Sequence, residues 1–290
     1  MMENKTVIIT GSNTGIGKET ALGICKLGAT VILAVRNVKK GEVARDDILA
    51  TAKGNHCEVH ELDVSSMASV RKFAAAMKGR RIDILINNAA VADLPRQLTK
   101  EGLELTVATN HLGHFLLSHL LLPQLQATRG RIVNVASIGH FWSSAASLDI
   151  ENDLKYERSV WTMELYLSTK LMNVLFSNEL AKRLKGTGVT SNALCPGAVK
   201  TSILRHTFSN NWWGGIANMF NSILSNSPEK GAQTSIYVAV SDELKGVSGA
   251  YFTNGKSSQA SKLSQDETLC RKLWEVSEKL VKLKPEEKLV

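Results

Sequence analysis

Short apolar runs alternate with longer stretches of helical periodicity along most of the chain. The first run, KTVIIT at 5–10, is β-branched and nearly uncharged, which is typical of a buried strand. The pattern predicts strands at 6–10, 30–35, 57–62, 83–87, 131–136, 189–194 and 249–252. It predicts helices at 16–28, 39–52, 67–78, 102–127, 161–185, 228–241 and 266–282. Apolar strands that alternate with helices indicate an α/β fold, a mostly parallel seven-stranded sheet with helices on both faces.

Length and composition favour a soluble enzyme built as a single domain over 1–290. Hydrophobic residues make up 43% and charged residues 21% of the chain, both ordinary globular values. The net charge is +8, but the basic residues are scattered, which favours a solvated basic surface over a nucleic-acid stripe. We therefore expect no nucleic-acid partner.

Targeting signals and cysteine usage favour a cytoplasmic location. The sequence shows neither a long apolar run nor a signal peptide, since charges occur from Glu3 onward. The cysteines, Cys25, Cys57, Cys195 and Cys270, have neither CxxC nor metal-binding spacing, which favours a reducing compartment. We expect no membrane-spanning segment and no metal site; a helix face shared by two histidines lacks a nearby carboxylate or cysteine.

A glycine-rich loop, Gly11-Ser-Asn-Thr-Gly15-Ile-Gly17, joins the first predicted strand to the first predicted helix. Glycines let the backbone turn sharply and approach a pyrophosphate, and a helix N-terminus offers N–H groups with a partial positive charge. The spacing TGxxxGIG differs from the commoner GxGxxG fingerprint. Strand, loop and helix in this order favour nucleotide binding over a simple turn.

Tyr166 and Lys170 are four residues apart in the run YLSTK, which stacks their side chains on one helix face. A free phenol has a pKa of about 10, too high for acid/base work near neutrality. An ammonium within about 4–6 Å favours the phenolate, so we expect Lys170 to lower the pKa of Tyr166. The pair suits proton exchange with an alcohol/carbonyl couple, although such pairs also occur on solvated helix faces.

Six motifs follow one another along the chain: TGSNTGIG (10–17), NNAA (87–90), Asn110 in VATNHLGHFLL, VNVASIGH (133–140), YLSTK (166–170) and CPGAVKTSI (195–203). Together they span most of the chain and resemble the short-chain dehydrogenase/reductase family. Further stretches, VILAVRNVKKGE (31–42), STKLMNVLFSNELAKRL (168–184) and EKGAQTSIYVAV (229–240), resemble its retinol dehydrogenase-like branch. The resemblance implies a doubly wound, Rossmann-type fold and an enzyme that interconverts an alcohol and a carbonyl.

The end of the second predicted strand indicates which nicotinamide cofactor is used. A NAD-preferring site usually has Asp or Glu there, and its carboxylate accepts hydrogen bonds from the ribose hydroxyls. TVILAVRN has no acid and places Arg36 just after the strand, where a guanidinium can grip the 2′-phosphate of NADP with charge-assisted hydrogen bonds. Lys39 or Lys40 is a candidate to assist, and an exposed structural Arg36 is the alternative. The expected cofactor is NADP(H).

The resemblance implies a catalytic set of Tyr166, Lys170, Ser137 and Asn110. In this family pattern Tyr166 exchanges a proton with the substrate oxygen, while Lys170 assists it and bonds the nicotinamide ribose. Ser137 follows the apolar strand RIVNVA and aims its hydroxyl at the substrate oxygen, although such a serine alone is usually a turn or helix cap. Asn110 interrupts an apolar helix and holds a water that relays protons from Lys170, with a satisfied core amide as the alternative.

The family pattern also implies the contacts to the cofactor, with Asp63-Val64 at the adenine edge and Pro196-Gly197 and Thr201 at the nicotinamide. The expected cofactor-binding residues are Gly11, Ser12, Asn13, Gly15, Ile16, Gly17, Arg36, Asp63, Val64, Asn87, Ala89, Tyr166, Lys170, Pro196, Gly197, Val199 and Thr201.

Two features depart from the family pattern. The usual NNAG is NNAA, so Ala90 replaces a glycine that packs close to the cofactor. Ser137 and Tyr166 are further apart than in compact members, and 141–160 is expected to loop out over the substrate side. Neither departure removes a catalytic group.

The stretch 202–227 is rich in Asn, Ser and aromatic residues and is expected to form a substrate flap. Trp212 and Trp213 lie in it, which favours an apolar carbonyl or alcohol substrate that is retinoid-, steroid- or lipid-aldehyde-like. Packing on the protein body and shallow contact with a membrane surface are the alternatives.

The segment LMNVLFSNEL is apolar around much of its circumference, which favours a homodimer through the helices near 102–127 and 161–185. Cover by the chain's own tail helix is the alternative. Two other functions stay open: a catalytically quiet NADP(H)-binding sensor or scaffold, and a sugar-nucleotide epimerase. The intact Ser137, Tyr166 and Lys170 disfavour the first, and the glycine spacing and the modest length after Lys170 disfavour the second.

Overall fold

A computed structural model describes residues 2–52, 56–92, 94–143, 162–197 and 227–289. The strands in these ranges form one sheet and are β1 Thr6–Thr10, β2 Thr30–Val35, β3 Cys57–Glu61, β4 Ile84–Asn87, β5 Arg131–Val135, β6 Thr190–Cys195, β7 Tyr251–Thr253 and β8 Lys256–Ser258. The helices are α1 Gly15–Lys26, α2 Val38–Ala52, α3 Met67–Ala76, α4 Leu105–Val107, α5 Gly113–Leu120, α6 Leu122–Thr128, α7 Thr162–Arg183, α8 Pro228–Val240 and α9 Glu267–Leu280.

The strand order places a switch point beside β1. The order is β3-β2-β1-β4-β5-β6-β7-β8, with parallel pairing up to β7 and an antiparallel pair of β7 and β8. β1 lies between β2 and β4, so the chain changes direction across the sheet there. In open α/β sheets, ligands bind at such a point, beyond the carboxyl ends of the strands. The predicted doubly wound, Rossmann-type fold is confirmed.

Both faces of the sheet are covered by helices because the strand side chains alternate. Ile8 and Leu85 pack on one face with residues of α3, α5, α7 and α9. Val7, Ile9 and Ile84 pack on the other face with residues of α1, α2 and α8. Successive side chains of a strand point to opposite faces, so one apolar strand contributes to both layers.

Within the described residues the sheet has eight strands, one more than the seven predicted. β8, Lys256–Ser258, pairs antiparallel with β7 and exposes all three residues. A strand of three polar, exposed residues has no apolar run, so the hydrophobic pattern could not reveal it.

The single helix predicted over 102–127 is also wrong. The chain forms α4, then a π-helical segment at Ala108–Leu112, then α5 and α6. A π segment within a helix often marks a functional site. Asn110 lies in this segment, so the break in the helix falls at a residue of the expected catalytic set.

The tail helix α9 packs on α7 and covers part of its apolar surface. Trp274 of α9 is 2% exposed and stacks on Phe176, with 6.0 Å between ring centroids. Arg183 Cζ lies 4.4 Å from the centroid of the Trp274 ring. This arrangement is the alternative to self-association given above, and the homodimer stays a prediction. In the part of the chain that the structure describes, no helix has both the length and the apolar character to cross a bilayer.

Candidate active site

The glycine loop between β1 and α1 has the shape of a phosphate cradle. Gly11 and Gly15 have φ of +65° and +58°, in the left-handed region that favours glycine. A Cβ at Gly15 would meet no heavy atom within 4 Å, so open space lies against this backbone. Thr14, the N-cap of α1, makes no side-chain cap, and the first turn has no acidic residue. Backbone N–H groups beside open space suit a pyrophosphate.

Asn88, which sequence analysis did not single out, ties this loop to the end of β4. Its Nδ2 donates to the carbonyl oxygens of Thr10 at 2.8 Å and Gly11 at 3.4 Å. A Cβ at Gly17 would lie 2.6 Å from Asn88 Nδ2 and 2.7 Å from the Gly11 oxygen, so only glycine fits there. The Gly11 N–H donates to the Ala34 carbonyl at 2.9 Å. The loop is therefore held between β2 and β4.

The other expected loop residues contribute mainly packing. Ser12 is buried and its hydroxyl donates to the Ile9 carbonyl at 2.8 Å, so only its backbone faces the cradle. Ala89 packs on the first glycine of the loop. Asn13 and Ile16 are half-buried.

The residues expected at the adenine side lie at the ends of β2 and β3. Arg36 follows β2 and is exposed. Asp63 Oδ1 accepts hydrogen bonds from the N–H and the hydroxyl of Ser65, at 3.0 Å and 2.7 Å. Val64 is buried against Gly113, where a Cβ would overlap the Val64 carbonyl. Gly113 therefore lets α5 approach the expected adenine contact closely.

The cofactor contact of Asn87 stays a prediction, and its side chain points into the protein. Asn87 is 3% exposed, and its Nδ2 donates to Ser118 Oγ at 3.1 Å and Asn134 Oδ1 at 2.9 Å. Strand alternation explains this, because Asn87 lies two residues after Leu85 and shares its face. Asn88, one residue further, is the asparagine that reaches the loop.

Tyr166 and Lys170 lie together in α7, as the spacing predicts. Lys170 Nζ is 5.5 Å from the centroid of the Tyr166 ring and donates to the Val135 carbonyl at 3.3 Å. Tyr166 is 9% and Lys170 3% exposed. The pair is therefore buried beside the carboxyl end of β5.

Burial decides how this pair titrates. It raises the pKa of Tyr166 to about 12, while a hydrogen bond with the Ser137 side chain acts in the opposite direction. It also lowers the pKa of Lys170 to about 8. The pKa of Tyr166 is therefore raised and not lowered as expected, because desolvation of the phenolate is the largest influence on it. Tyr166 therefore keeps its proton at neutral pH and is ready to donate it.

Ser137 is both a cap and a neighbour of Tyr166. It is the N-cap of a 3₁₀ turn at Ile138–Phe141, and its Oγ accepts the Gly139 N–H at 3.2 Å. The Ser137 side chain also acts to lower the pKa of Tyr166, so it lies near the phenol hydroxyl. Because Gly139 donates to the serine oxygen, the hydroxyl hydrogen remains for Tyr166 or a substrate oxygen.

The side chain of Asn110 connects the loop after β4 to α7 through hydrogen bonds. Its Oδ1 accepts the Val91 N–H at 2.8 Å, and its Nδ2 donates to the Val91 carbonyl at 2.9 Å and Thr169 Oγ1 at 3.0 Å. The side chain is therefore a satisfied core amide, directly beside the residue that precedes Lys170. The proton relay through a water stays a prediction.

A buried imidazole connects Asn110 with the cradle. His114 Nδ1 lies 3.3 Å from the Asn110 carbonyl oxygen, and its Nε2 lies 2.8 Å from Thr10 Oγ1. Thr10 Oγ1 also accepts the N–H groups of Asn88 and Ala89, both at 2.9 Å. A carbonyl only accepts, so Nδ1 carries the hydrogen and Nε2 accepts the Thr10 hydroxyl. Burial lowers the pKa of His114 to about 4, which keeps this junction neutral.

The remaining expected residues fall at the end of β6 and beyond. Pro196 and Gly197 follow β6 and are half-buried, and Gly197 has a φ of +81°. Val199 and Thr201 lie outside the described residues, as do the flap up to 226 and most of the 141–160 insertion, so these assignments stay predictions.

Ala90 fits without backbone strain. In the described ranges, the non-glycine residues with positive φ are Asn4, Arg129, Asn254 and Lys282. Ala90 lies outside the left-handed region, so the alanine in place of the family glycine needs no unusual backbone conformation. For the same ranges, no group of three His, Cys, Asp or Glu side chains is placed to hold a metal ion.

Comparison with known proteins connects this site to a family. A family model described as short chain dehydrogenase matches residues 5–147. Retinol dehydrogenase 13 of Homo sapiens is 43% identical over 289 residues, covering 96% of this chain and 85% of the relative. Retinol dehydrogenase 12 of Bos taurus is 41% identical over 276 residues, covering 94% of this chain and 85% of the relative.

Solved structures share the fold. An uncharacterized protein from Mycobacterium Paratuberculosis superposes with a TM-score of 0.78 at 32% identity, covering 97% of this chain and 94% of that chain. An actinorhodin polyketide ketoreductase variant with NADPH superposes with a TM-score of 0.67 at 24% identity, covering 86% of this chain and 94% of that chain. At that identity the second likeness shows the fold alone.

Proposed function

The chain belongs to the short-chain dehydrogenase/reductase family, in its retinol dehydrogenase-like branch, and is an oxidoreductase; from that premise we propose its cofactor and substrate class. We propose that it interconverts a carbonyl and an alcohol on an apolar substrate, using NADP(H). The observation that carries this proposal is that Tyr166 and Lys170 are buried together at the carboxyl end of β5, with the half-buried Ser137 beside Tyr166.

The protein fits a nicotinamide dinucleotide on structural grounds. The open space at Gly15 and the uncapped start of α1 suit the pyrophosphate, and α5 closes on Val64 at the adenine side. A nicotinamide, when bound, supplies or accepts the hydride. In reduction, Tyr166 donates its proton to the substrate carbonyl oxygen, and the Ser137 hydroxyl holds that oxygen in place. Lys170 is a buried ammonium that stabilises negative charge as the phenol gives up its proton.

We propose NADP(H) in preference to NAD(H) because of Arg36. It is exposed one residue beyond β2, next to the strand end that holds the glycine loop through Ala34. The residues that end this strand, Val35 to Asn37, include no acid, although Glu61 of β3 lies opposite Val35. We propose that the 2′-phosphate meets Arg36 and not Glu61. A charge-assisted contact contributes about 1.5–3 kcal/mol, which is roughly tenfold to over a hundredfold in selectivity.

Arg36→Asp tests this choice. We expect a higher Michaelis constant for NADPH and a much smaller change for NADH. Arg45→Asp, the same charge change at another arginine of this region, is the control and should leave the NADPH preference intact. An equal loss with both cofactors in Arg36→Asp would show that Arg36 supports the fold and does not read the phosphate.

Apolar side chains beside the catalytic serine support an apolar substrate. Ile138 and Phe141 follow Ser137 directly and are 39% and 48% exposed. The curated relatives carry the name retinol dehydrogenase, which denotes an apolar alcohol as their substrate. Burying one such side chain against a ligand contributes about 1.5–3 kcal/mol. The flap at 202–227 is proposed to complete this surface.

A turnover screen tests the proposed function. Retinaldehydes, steroid ketones, long-chain aldehydes and small aldehydes are offered with NADPH, and its absorbance is followed. We expect turnover to rise with apolar size and to fall for the bulky substrates in Phe141→Ser. An absence of turnover with every carbonyl and every matching alcohol, while NADPH still binds, would favour the sensor or scaffold.

The cytoplasmic location also stays a proposal, which cell fractionation tests.

A further inference from the structure

His140 has no role in the site described so far, yet it is fully buried beside it. Its Nδ1 lies 2.7 Å from the carbonyl oxygen of Ser137, and its Nε2 lies 3.1 Å from the backbone nitrogen of Ser261. A carbonyl only accepts and a backbone N–H only donates, so the imidazole is neutral with its hydrogen on Nδ1. The ring thus bridges the catalytic serine and a segment more than a hundred residues later.

The far end of this bridge leads back to the helix that carries the other catalytic residues. The Ser261 carbonyl accepts the Ser264 hydroxyl at 2.6 Å, and the Ser264 carbonyl accepts Asn178 Nδ2 at 2.8 Å. Asn178 belongs to α7, as do Tyr166 and Lys170. A chain of hydrogen bonds therefore connects the backbone of the serine turn to α7.

The surroundings of His140 hold the ring in one orientation and one protonation state. Its centroid lies 4.1 Å from that of Phe141 and 4.9 Å from that of Tyr251. Burial lowers the pKa of His140 from its ordinary value, while the hydrogen bond to Ser137 acts in the opposite direction. A neutral ring keeps its acceptor toward Ser261 near neutral pH.

From this geometry we propose that His140 is a positioning residue for the reaction. It fixes the Ser137 turn relative to α7 so that the Ser137 and Tyr166 hydroxyls meet the same substrate oxygen. The proposal rests on the carbonyl/alcohol activity proposed above. Misplacing a catalytic group by about 1 Å can cost about a hundredfold in rate, so the backbone bond to Ser137 has a measurable consequence.

Three substitutions at His140 separate its two hydrogen bonds from its packing. His140→Phe keeps a ring and loses both bonds. His140→Asn places an amide donor where Nδ1 lies, so it can keep the bond to Ser137. His140→Gln places an acceptor near the position of Nε2, so it can keep the bond from Ser261.

We expect kcat to fall roughly tenfold to a hundredfold in His140→Phe, with the KM for NADPH within about twofold, because the cradle is not touched. His140→Asn and His140→Gln each keep only one of the two bonds, so kcat should also stay low in both, because the bridge to α7 needs both bonds. A kcat for His140→Phe within twofold of the parent would overturn the proposal. A kcat near that of the parent in either single-bond variant would overturn it too, since a continuous bridge to α7 would then not be needed.

His119 offers a matched control within the same protein. It is 4% exposed, and its Nδ1 bonds the carbonyl of Phe115 at 2.8 Å, but Phe115 is not a catalytic residue. His119→Phe should leave kcat within about twofold of the parent. A fall in kcat equal to that of His140→Phe would show that any buried histidine has this effect, and would contradict the proposal.

Amide hydrogen exchange at Ser261 separates failure of this inference from failure of the proposed function. Exchange should be faster in the Phe and Asn variants than in the parent and the Gln variant, whatever the substrate. Identical exchange in all four proteins would show that His140 does not hold Ser261. A parent that binds NADPH but turns over no carbonyl or alcohol, with the expected exchange pattern, would refute the activity and leave the bridge intact.

Discussion

The phosphate cradle and the catalytic centre lie at the same edge of the sheet, but the first is formed by backbone groups and the second by side chains. The cradle uses backbone N–H groups and the absence of side chains, as at Gly15, where a Cβ would meet open space. The catalytic centre uses buried side chains, Tyr166 and Lys170, whose pKa values burial moves far from their ordinary values. The difference supports the proposal that one region holds the nucleotide while the other exchanges the proton.

The largest effect should follow the loss of one hydroxyl in the catalytic centre. Tyr166→Phe removes the proton donor, and general acid catalysis contributes about 10²–10⁴-fold. We expect kcat to fall by that factor, with the Kd for NADPH unchanged within about twofold. Steady-state kinetics and NADPH fluorescence titration measure the two quantities. Turnover within a few-fold of the parent would remove Tyr166 from the mechanism.

The buried histidines behind the catalytic centre should make the protein sensitive to acid. Burial lowers the pKa of His111 to about 3 and the pKa values of His114 and His119 to about 4. Between pH 6.5 and these values the unfolded chain binds more protons, so the free energy of unfolding falls as the pH falls. The slope is about 1.4 kcal/mol per pH unit for each histidine.

Urea unfolding between pH 6.5 and 5 measures this slope, in a range above the ordinary pKa values of carboxylates. His119→Phe should reduce the slope by the contribution of one histidine. A free energy of unfolding that does not change across this interval would contradict the burial of these imidazoles.

A methyl group in the cradle should act on binding and not on chemistry. In Gly17→Ala the new carbon would press on Asn88 and on the Gly11 carbonyl, and such overpacking costs about 1–3 kcal/mol. We expect the Kd for NADPH to rise roughly tenfold to a hundredfold. Gly186→Ala is the control: Gly186 has a φ of +88° and open space at its Cβ position, so the substitution strains the backbone outside the cradle and should leave the Kd for NADPH unchanged. An unchanged Kd in Gly17→Ala would show that the loop moves freely.

The smallest effect should come from restoring the family glycine. Ala90 lies outside the left-handed region, so Ala90→Gly relieves no strain and mainly loosens the unfolded chain. We expect the Kd for NADPH to stay within about twofold and the free energy of unfolding to fall by about 0.4–1 kcal/mol. A clear gain in NADPH affinity would show that the Ala90 methyl obstructs the cofactor.

The same contrast explains what could be predicted from sequence. The glycine loop is a local feature, so its spacing and flanking elements predict the cradle and the fold around it. Asn88 and His140 lie within the motifs NNAA and VNVASIGH, but they act through partners distant in sequence, such as Thr10 and Ser261, which the motifs do not reveal. The inward orientation of the Asn87 side chain can be predicted from sequence, because strand alternation places it on the same face as Leu85.

The titration of Tyr166 shows the limit of arguments from spacing. The four-residue separation from Lys170 predicts their proximity, and the structure confirms it. The separation does not reveal burial, and burial determines the direction of the pKa shift. Similarly, helical periodicity alone predicts one continuous helix and does not reveal the π segment at Ala108–Leu112.

A single-turnover experiment on two variants tests the division of labour most directly. NADPH oxidation is followed after mixing Tyr166→Phe, and separately Gly17→Ala, with excess apolar aldehyde over a range of NADPH concentrations. We predict that Tyr166→Phe keeps the parent's half-saturating NADPH concentration but loses at least about a hundredfold in limiting rate. We predict that Gly17→Ala needs at least about tenfold more NADPH but approaches the parent's limiting rate. If either variant both raised the half-saturating NADPH concentration and lowered the limiting rate by similar factors, the separation of the cradle from the catalytic centre would be contradicted.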